Sequence, residues 1–306
     1  MSGRPSAQTP RASGHAQGGA AGADGARPDP LPGPDPAGPD PAGPDPVEVT
    51  RGDGPVILGL PHTGTWLPGG IAARLNARGR RLADTDWHIH ELYAGLLAGA
   101  TTVRATFHRY AIDANRGPDD ESLYPGRNTT GLVPLTDFDG APIWEVPPTA
   151  DDVADRLARF HAPYHAALSA EIGRVRARHG VAILYDCHSI RSVIPYLFEG
   201  VLPDFNIGTA NGAACDPRIA AAAAVIAAAT GRTWVVNGRF RGGWTTRHYG
   251  RPEAGVHAIQ MELAQATHLA AEAPPFALDP ARAEAMRAPL GALLARLAAL
   301  APELRA

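Results

Sequence analysis

The chain has 306 residues, 44% hydrophobic and 19% charged, with a formal net charge of −3; this suffices for one large domain with a sizeable core and lacks the basic footprint of a nucleic-acid binder. All 28 basic residues are arginine, which excludes lysine Schiff-base enzymes and the lysine of a nucleotide-binding P-loop. Two cysteines, no continuous apolar run of about 18 residues and no apolar signal core lead us to expect a cytoplasmic protein without a membrane span.

Residues 1–46 hold 11 of the 30 prolines and 9 of the 34 glycines and end in PGPDPAGPDPAGPDP, Pro32 to Pro46. Such a segment buries too little apolar surface to offset its ordering entropy, so a disordered tail is expected there, followed by a single domain over 47–306. In that domain VILGLP (56–61), TTVRATF (101–107), VAILYDCH (181–188), TWVVNG (233–238) and VHAIQMEL (256–263) read as strands. Their unbroken apolar character suits a sheet covered on both faces. Asp84–Ala98, Asp151–His179, Asp216–Thr230 and Asp279–Leu300 read as helices, each with an aspartate as N-cap, and Gly180 and Gly231 stand where a terminating glycine belongs. Alternating strands and helices predict an α/β fold with a mostly parallel or mixed sheet. The irregular stretch Gly117–Pro148 is too long for a simple connector, which points to a functional loop.

Ligands of open α/β sheets bind beyond the carboxyl ends of the strands, and there the polar residues cluster. His62 follows VILGLP and His188 ends VAILYDCH; two imidazoles at strand ends suit zinc, and a catalytic zinc site takes a third protein ligand. Asp84 or Asp86 in LADTDW supplies it, and the spacing alone does not separate them. His88 and Glu91 offer a competing HxxE spacing, set within a helix and away from a strand end, while the HExxH pattern is broken by Ala94. Glu262 ends an apolar strand, an expensive position for a carboxylate without a task; beside a metal it suits a general base. Asn115 and Arg116 follow another apolar segment, Arg191 lies three residues past His188, and the glycine-hinged loop 239–250 carries Arg239, Arg241, Thr246 and Arg247. Arginine pairs bidentately with carboxylates, so these residues point to a small-molecule dicarboxylate substrate. No GxSxG or GxGxxG motif is present, Cys187 reads as a buried strand residue, and Cys215 follows a small-residue stretch with no obvious base.

PHTGTWLP, LADTDWHIHELY, RYAIDANRGPDDESLYPGRNTTGL, DCHSIRSVIPYLFEGVLPDFNIGTANGA and NGRFRGGWTTRHYGRPEAGVHAIQMELAQATH, in that order from about Val56 to His268, resemble the N-formylglutamate deformylase (N-formylglutamate amidohydrolase) family. The resemblance implies a three-layer α/β/α sandwich with a mixed central sheet, similar to the zinc carboxypeptidases. It further implies zinc-dependent hydrolysis of N-formyl-L-glutamate to glutamate and formate, the last step of a histidine-degradation route. It implies His62, Asp86 and His188 as zinc ligands, with Asp84 as the rival acid, Glu262 as general base, and Asn115 and Arg116 at a substrate carboxylate, Arg116 also beside the reacting carbonyl. The competing readings are a zinc amidohydrolase for another N-acyl or N-formimino amino acid and a metal-free binder of acidic ligands on the same fold. An interaction protein acting through its tail is the weakest of them.

Overall fold

The structure, a computed structural model, describes residues 43–305, so most of the tail expected over 1–46 lies outside the described residues. In chain order the elements are strands β1 (Val47–Thr50) and β2 (Val56–Leu60), short helices α1 (Gly69–Ala73) and α2 (Ile89–Tyr93), strand β3 (Thr101–Ala105), helices α3 (Ala150–Arg156) and α4 (Ala162–His179), strands β4 (Ala182–Ile190) and β5 (Phe205–Gly208), helix α5 (Pro217–Ala229), strand β6 (Trp234–Val236), helix α6 (Trp244–Tyr249), strand β7 (Val256–Ala264) and helix α7 (Pro280–Leu300). The strands form one sheet in the order β1-β3-β2-β4-β7-β5-β6. β3, β2, β4 and β7 run parallel, whereas β1 pairs antiparallel to β3 and β5 antiparallel to β7.

β4 and β7 are buried along all nine of their residues, which is why both read as apolar runs. Side chains alternate between the faces of a strand. Ile183, Tyr185 and Cys187 of β4 and Ile259, Met261 and Leu263 of β7 therefore turn to one face, under Leu92 of α2, Ile219 of α5 and Leu290, Leu294 and Leu297 of α7. Ala182, Leu184 and Ala258 turn to the other, against Tyr164, Leu168 and Val175 of α4. The result is the expected α/β/α arrangement around a mixed sheet, and both cysteines are buried and free within it.

Three expectations about local structure need correction. Asp84–Ala98 is helical only over Ile89–Tyr93; His88 before it has φ 60°, and Gly95 after it has φ 71°. Asp84 and Asp86 thus sit in a turn and are free to point inward. α3 begins at Ala150, capped by Thr149 and not Asp151, and a π-helical turn, Leu157–His161, joins it to α4. β1 and β5 carry too few residues and too mixed a composition to stand out in the sequence. Asp45 and Pro46, counted with the tail, offer their carbonyls to Thr106, 2.7 Å from its hydroxyl and 3.2 Å from its N–H. The caps at Asp216 and Asp279 and the left-handed Gly180 and Gly231 lie where expected.

At the start of α3, Asp152 accepts from the Thr149 N–H at 2.6 Å and from Arg74 Nη1 at 2.9 Å, while Thr149 Oγ1 accepts from the Asp152 N–H. The Thr149 backbone bond and Arg74 hold its carboxyl down at about 2. A carboxyl depressed in the folded state stabilises above its unfolded pKa and loses that contribution as pH falls through the folded value. Asp152→Asn should therefore lower stability by about 1 kcal/mol at pH 6, and the difference from the wild type in urea denaturation should shrink from pH 5 towards pH 3.

Candidate active site

Three strand ends supply the site. Asp186 and His188 occupy alternate positions of β4, and Gln260 and Glu262 occupy alternate positions of β7; the register sets Asp186 beside Gln260 and His188 beside Glu262. All four thus continue the α4 face of the sheet beyond its apolar part. His62 comes from the turn that leaves β2. That turn passes so close to Thr106 and Phe107 that a Cβ on Gly64 would collide with their backbone. The Asp86 N–H binds the His62 carbonyl at 3.0 Å, tying the aspartate turn to the histidine turn.

His62, Asp86 and His188 offer ligand atoms that all lie within 4.8 Å of one another, and all three residues are buried. His62 Nδ1 is 3.2 Å from His188 Nδ1, which is 3.1 Å from Asp86 Oδ2. Each imidazole turns its other nitrogen to a second carboxylate: His62 Nε2 is 2.6 Å from Asp113 Oδ1, and His188 Nε2 is 3.1 Å from Asp186 Oδ1. A carboxylate behind a histidine keeps the proton on the far nitrogen and aims the near lone pair at a metal. Two imidazoles and one carboxylate converging in this way fit a divalent metal such as zinc. Asp84 stays outside the group, accepting from the Tyr110 hydroxyl at 2.8 Å and the Phe138 N–H at 3.0 Å, and burial pushes its carboxyl up to about 7. His88 and Glu91 form a separate pair, 2.8 Å apart, near the surface.

Electrostatics separate the buried acids. Burial opposes the charge of Asp86, yet Arg109, with Nη2 3.1 Å from Oδ1, and His188 outweigh it and hold the carboxyl below its usual range. Burial likewise opposes Asp113, but His62 and Arg116 bring it well below that range. Glu262 differs: burial raises it, Asp86 adds to the rise, and it reaches about 8 despite His188 and Arg109. Its Oε2 accepts from Gln260 Nε2 at 3.1 Å.

These groups open on a recess with about 580 Å³ of empty space, lined among others by His62, Arg109, Arg116, His188, Arg239 and Glu262. Asn115 also lines it, its Oδ1 accepting from the Thr245 N–H at 2.9 Å and its Nδ2 lying 3.2 Å from His188 Nε2. Gly243 packs against this amide where a Cβ would clash. Arg116 is fixed by the Thr130 carbonyl and the Thr129 and Thr130 hydroxyls, all from the long loop expected to be functional. His161 and His165 donate Nε2–H to the Arg116 and Ala114 carbonyls at 2.9 and 2.8 Å, bracing the same segment from behind.

Four of the expected substrate contacts do not line the recess. Arg191 pairs with Asp139 at 2.9 Å, and the Thr246 hydroxyl donates to Asp186 Oδ2 at 3.3 Å. Arg241, in the loop after Gly238, and Arg247, on α6 and not in the expected loop, face a different hollow, while Arg239 stays inside. The sequence does not single out Arg109, Asp113, Asp186 or Gln260, all of which the structure brings to the site. For two of them a signal exists: a charged or amide residue stands two positions before another on an apolar strand, as in Asp186-Cys187-His188 and Gln260-Met261-Glu262.

An α/β/α fold whose parallel strand ends bring together two imidazoles and a buried glutamate, with the Asp86 carboxylate reaching them from a neighbouring turn, is the architecture of a hydrolase. The family model for N-formylglutamate amidohydrolase matches residues 54–269. The chain is 48% identical over 253 residues to the N-formylglutamate deformylase of Pseudomonas aeruginosa, covering 81% of this chain and 94% of that one. It is 46% identical over 226 residues to that of Pseudomonas putida, covering 72% of this chain and 84% of the other. The crystal structure of an N-formylglutamate amidohydrolase from Ralstonia eutropha superposes with a TM-score of 0.72 at 25% identity, over 85% of this chain and 99% of that one. The chain belongs to the N-formylglutamate amidohydrolase family.

Asp113→Asn should keep the shape of the turn but remove the charge behind His62. The affinity of the site for a divalent metal, titrated against a chromophoric chelator, should fall about 10- to 100-fold.

Proposed function

We propose that the protein hydrolyses N-formyl-L-glutamate to L-glutamate and formate with zinc held by His62, Asp86 and His188. The observation that carries the reading is the convergence of the ligand atoms of these three residues at the floor of a recess lined by His62, His188, Glu262 and three arginines. When bound there, zinc supplies Lewis-acid polarisation and acidifies water.

The remaining work falls to side chains. Glu262, raised by burial towards the working pH, suits a general base. It accepts a proton from the attacking water as the C–O bond forms and passes that proton to the glutamate nitrogen as the C–N bond breaks. The amide of Gln260 holds this carboxylate in place. Arg116 and Arg239 hold the two substrate carboxylates, since a guanidinium stays charged and cannot itself shuttle protons. Arg116, with Arg109 anchored on Asp86, adds positive potential where the oxyanion develops. Asn115, fixed by Thr245, orients the substrate beside His188. Phe138, Phe240 and Leu197 line the rest of the recess and limit water.

Formate release from N-formyl-L-glutamate, N-acetyl-L-glutamate and N-formyl-L-methionine tests this reading, using acetate release for the second substrate. Turnover of the formylglutamate alone, lost with chelator and restored by zinc, is the expected result. Comparable turnover of the acetyl compound would overturn the selectivity for formyl, and turnover unaffected by thorough metal removal would overturn the role of zinc. Glu262→Gln should lower kcat by about 10²- to 10⁴-fold while leaving one metal bound per chain.

A further inference from the structure

The two arginines turned away from the recess do not lie idle on the surface. Arg241 and Arg247 join Arg127 around a second hollow, with about 510 Å³ of empty space including its mouth, which Asn211 and Tyr124 also line. Among the described residues, no carboxylate lines it. Among the same residues, none of these three arginines is in an ion pair, and neither are Arg116 and Arg239 on the other side of Tyr124. Some exposed arginines elsewhere are matched with acids, as in Arg51–Glu171 and Arg218–Asp216, and others, such as Arg80, Arg176 and Arg296, are matched with none among the described residues; what sets Arg127, Arg241 and Arg247 apart is that they line one hollow. The three guanidiniums that line this hollow repel one another, and this repulsion is relieved when an anion enters.

The donors are arranged to receive one. Arg247 uses Nε on the Gly242 carbonyl at 2.9 Å and Nη1 on the Leu123 carbonyl at 3.3 Å, which fixes the fork and leaves Nη2 unspent. Arg241 spends only Nε, on the Gly238 carbonyl at 3.4 Å. Arg127 is exposed and spends none of its side-chain donors on the described residues. Tyr124 divides the two hollows: Arg239 on the catalytic side and Arg247 on the outer side lie 5.1 and 5.2 Å from its ring. Its hydroxyl accepts from the Arg241 N–H at 3.1 Å.

We propose that Arg127, Arg241 and Arg247 form a second anion site, separate from the catalytic recess, which binds a small dianion such as a dicarboxylate. Tyr124 is the wall the two sites share. A ligand in the outer site neutralises the Arg247 charge that leans on this ring, so its occupancy acts on the wall of the catalytic recess. The site also raises the local concentration of dianions at the mouth of the enzyme. The proposal does not depend on which amide the catalytic site cleaves.

Calorimetric titration of the zinc-loaded protein with glutarate, an unreactive dicarboxylate, and separately with inorganic phosphate tests it. Two glutarates per chain are expected in the wild type. Arg127→Gln, on an exposed side chain that does not support the fold, should weaken one of them about tenfold, and the Arg127→Gln/Arg241→Gln double variant should abolish it. Arg239→Gln should weaken the other and spare the outer one. Phosphate occupying the outer site would mark it as a general dianion site, and glutarate binding without phosphate would mark it as specific for dicarboxylates; both support the site. A single glutarate per chain that is insensitive to Arg127 would overturn the proposal. So would a single glutarate weakened by both Arg127→Gln and Arg239→Gln, since one ligand would then span the two hollows. An outer glutarate that survives while Arg239→Gln leaves the inner one unchanged would count against the catalytic reading of Arg239 alone.

Discussion

Four carboxyl groups, those of Asp86, Asp113, Asp186 and Glu262, are buried around two imidazoles and one guanidinium, and the site depends on how that charge is compensated. An ionised carboxylate in a dry interior is costly unless paired and hydrogen-bonded. Asp86 has Arg109 and the Ser189 N–H, and Asp113 has His62 and the Asn115 N–H. Asp186 has His188 and the Thr246 hydroxyl. Among the described residues, Glu262 has only the Gln260 amide at its carboxylate oxygens. The least compensated acid is the one whose carboxyl burial pushes up to about 8, while the partners of Asp86 and Asp113 hold theirs below the usual range. Division of labour among the four acids follows from their partners.

That distribution rests on the sheet. Because β4 and β7 are parallel and in register, one two-residue period on each strand delivers two polar side chains to the same face, and the pairs meet side by side. A slip of one residue would turn His188 and Glu262 into the α7 layer and expose Cys187 and Met261 to the recess. The apolar packing of α2, α5 and α7 on the far face holds the register. The geometry of the His188–Glu262 pair is thus fixed by a hydrophobic layer on the opposite face of the sheet.

Much of this is legible in the sequence, for physical reasons that can be named. Buried parallel strands announce themselves as apolar runs, and a histidine or glutamate at the end of such a run is costly to bury unless it has a partner or a task; His62, His188 and Glu262 stand out in this way. Asp84 and Asp86 cannot be separated by spacing because both lie in a turn, where two residues apart implies no common face. Arg241 and Arg247 group with Arg239 in the sequence because the glycine-hinged segment shows no period; the structure folds its second half into the short helix α6, which carries Arg247 and is too brief to stand out in the sequence. Arg109 and Asp113 stay hidden for a different reason: their burial is created by chain segments far away in sequence, and nothing local marks them. β1 and β5 escape notice because four residues of mixed polarity hold too little periodicity.

The π-helical turn at Leu157–His161 makes the stretch between Thr149 and Gly180 a measured length. A helix advances about 100° per residue, so the single extra residue of that turn sets the rotational phase of everything behind it. His161 and His165 reach the carbonyls of Arg116 and Ala114 only at this phase, while Leu168 and Val175 farther along the same helix must still face the sheet. All of these residues lie at or beyond the turn, so what the extra residue sets is their phase relative to α3, whose buried Arg156 donates to the Ala111 carbonyl. Substitutions in this helix can be absorbed one side chain at a time, whereas gaining or losing one residue at the turn would force a choice between the contacts of α3 and those of α4, the bracing of the Arg116 segment among them. Within this stretch the chain can drift in composition far more easily than it can change in length.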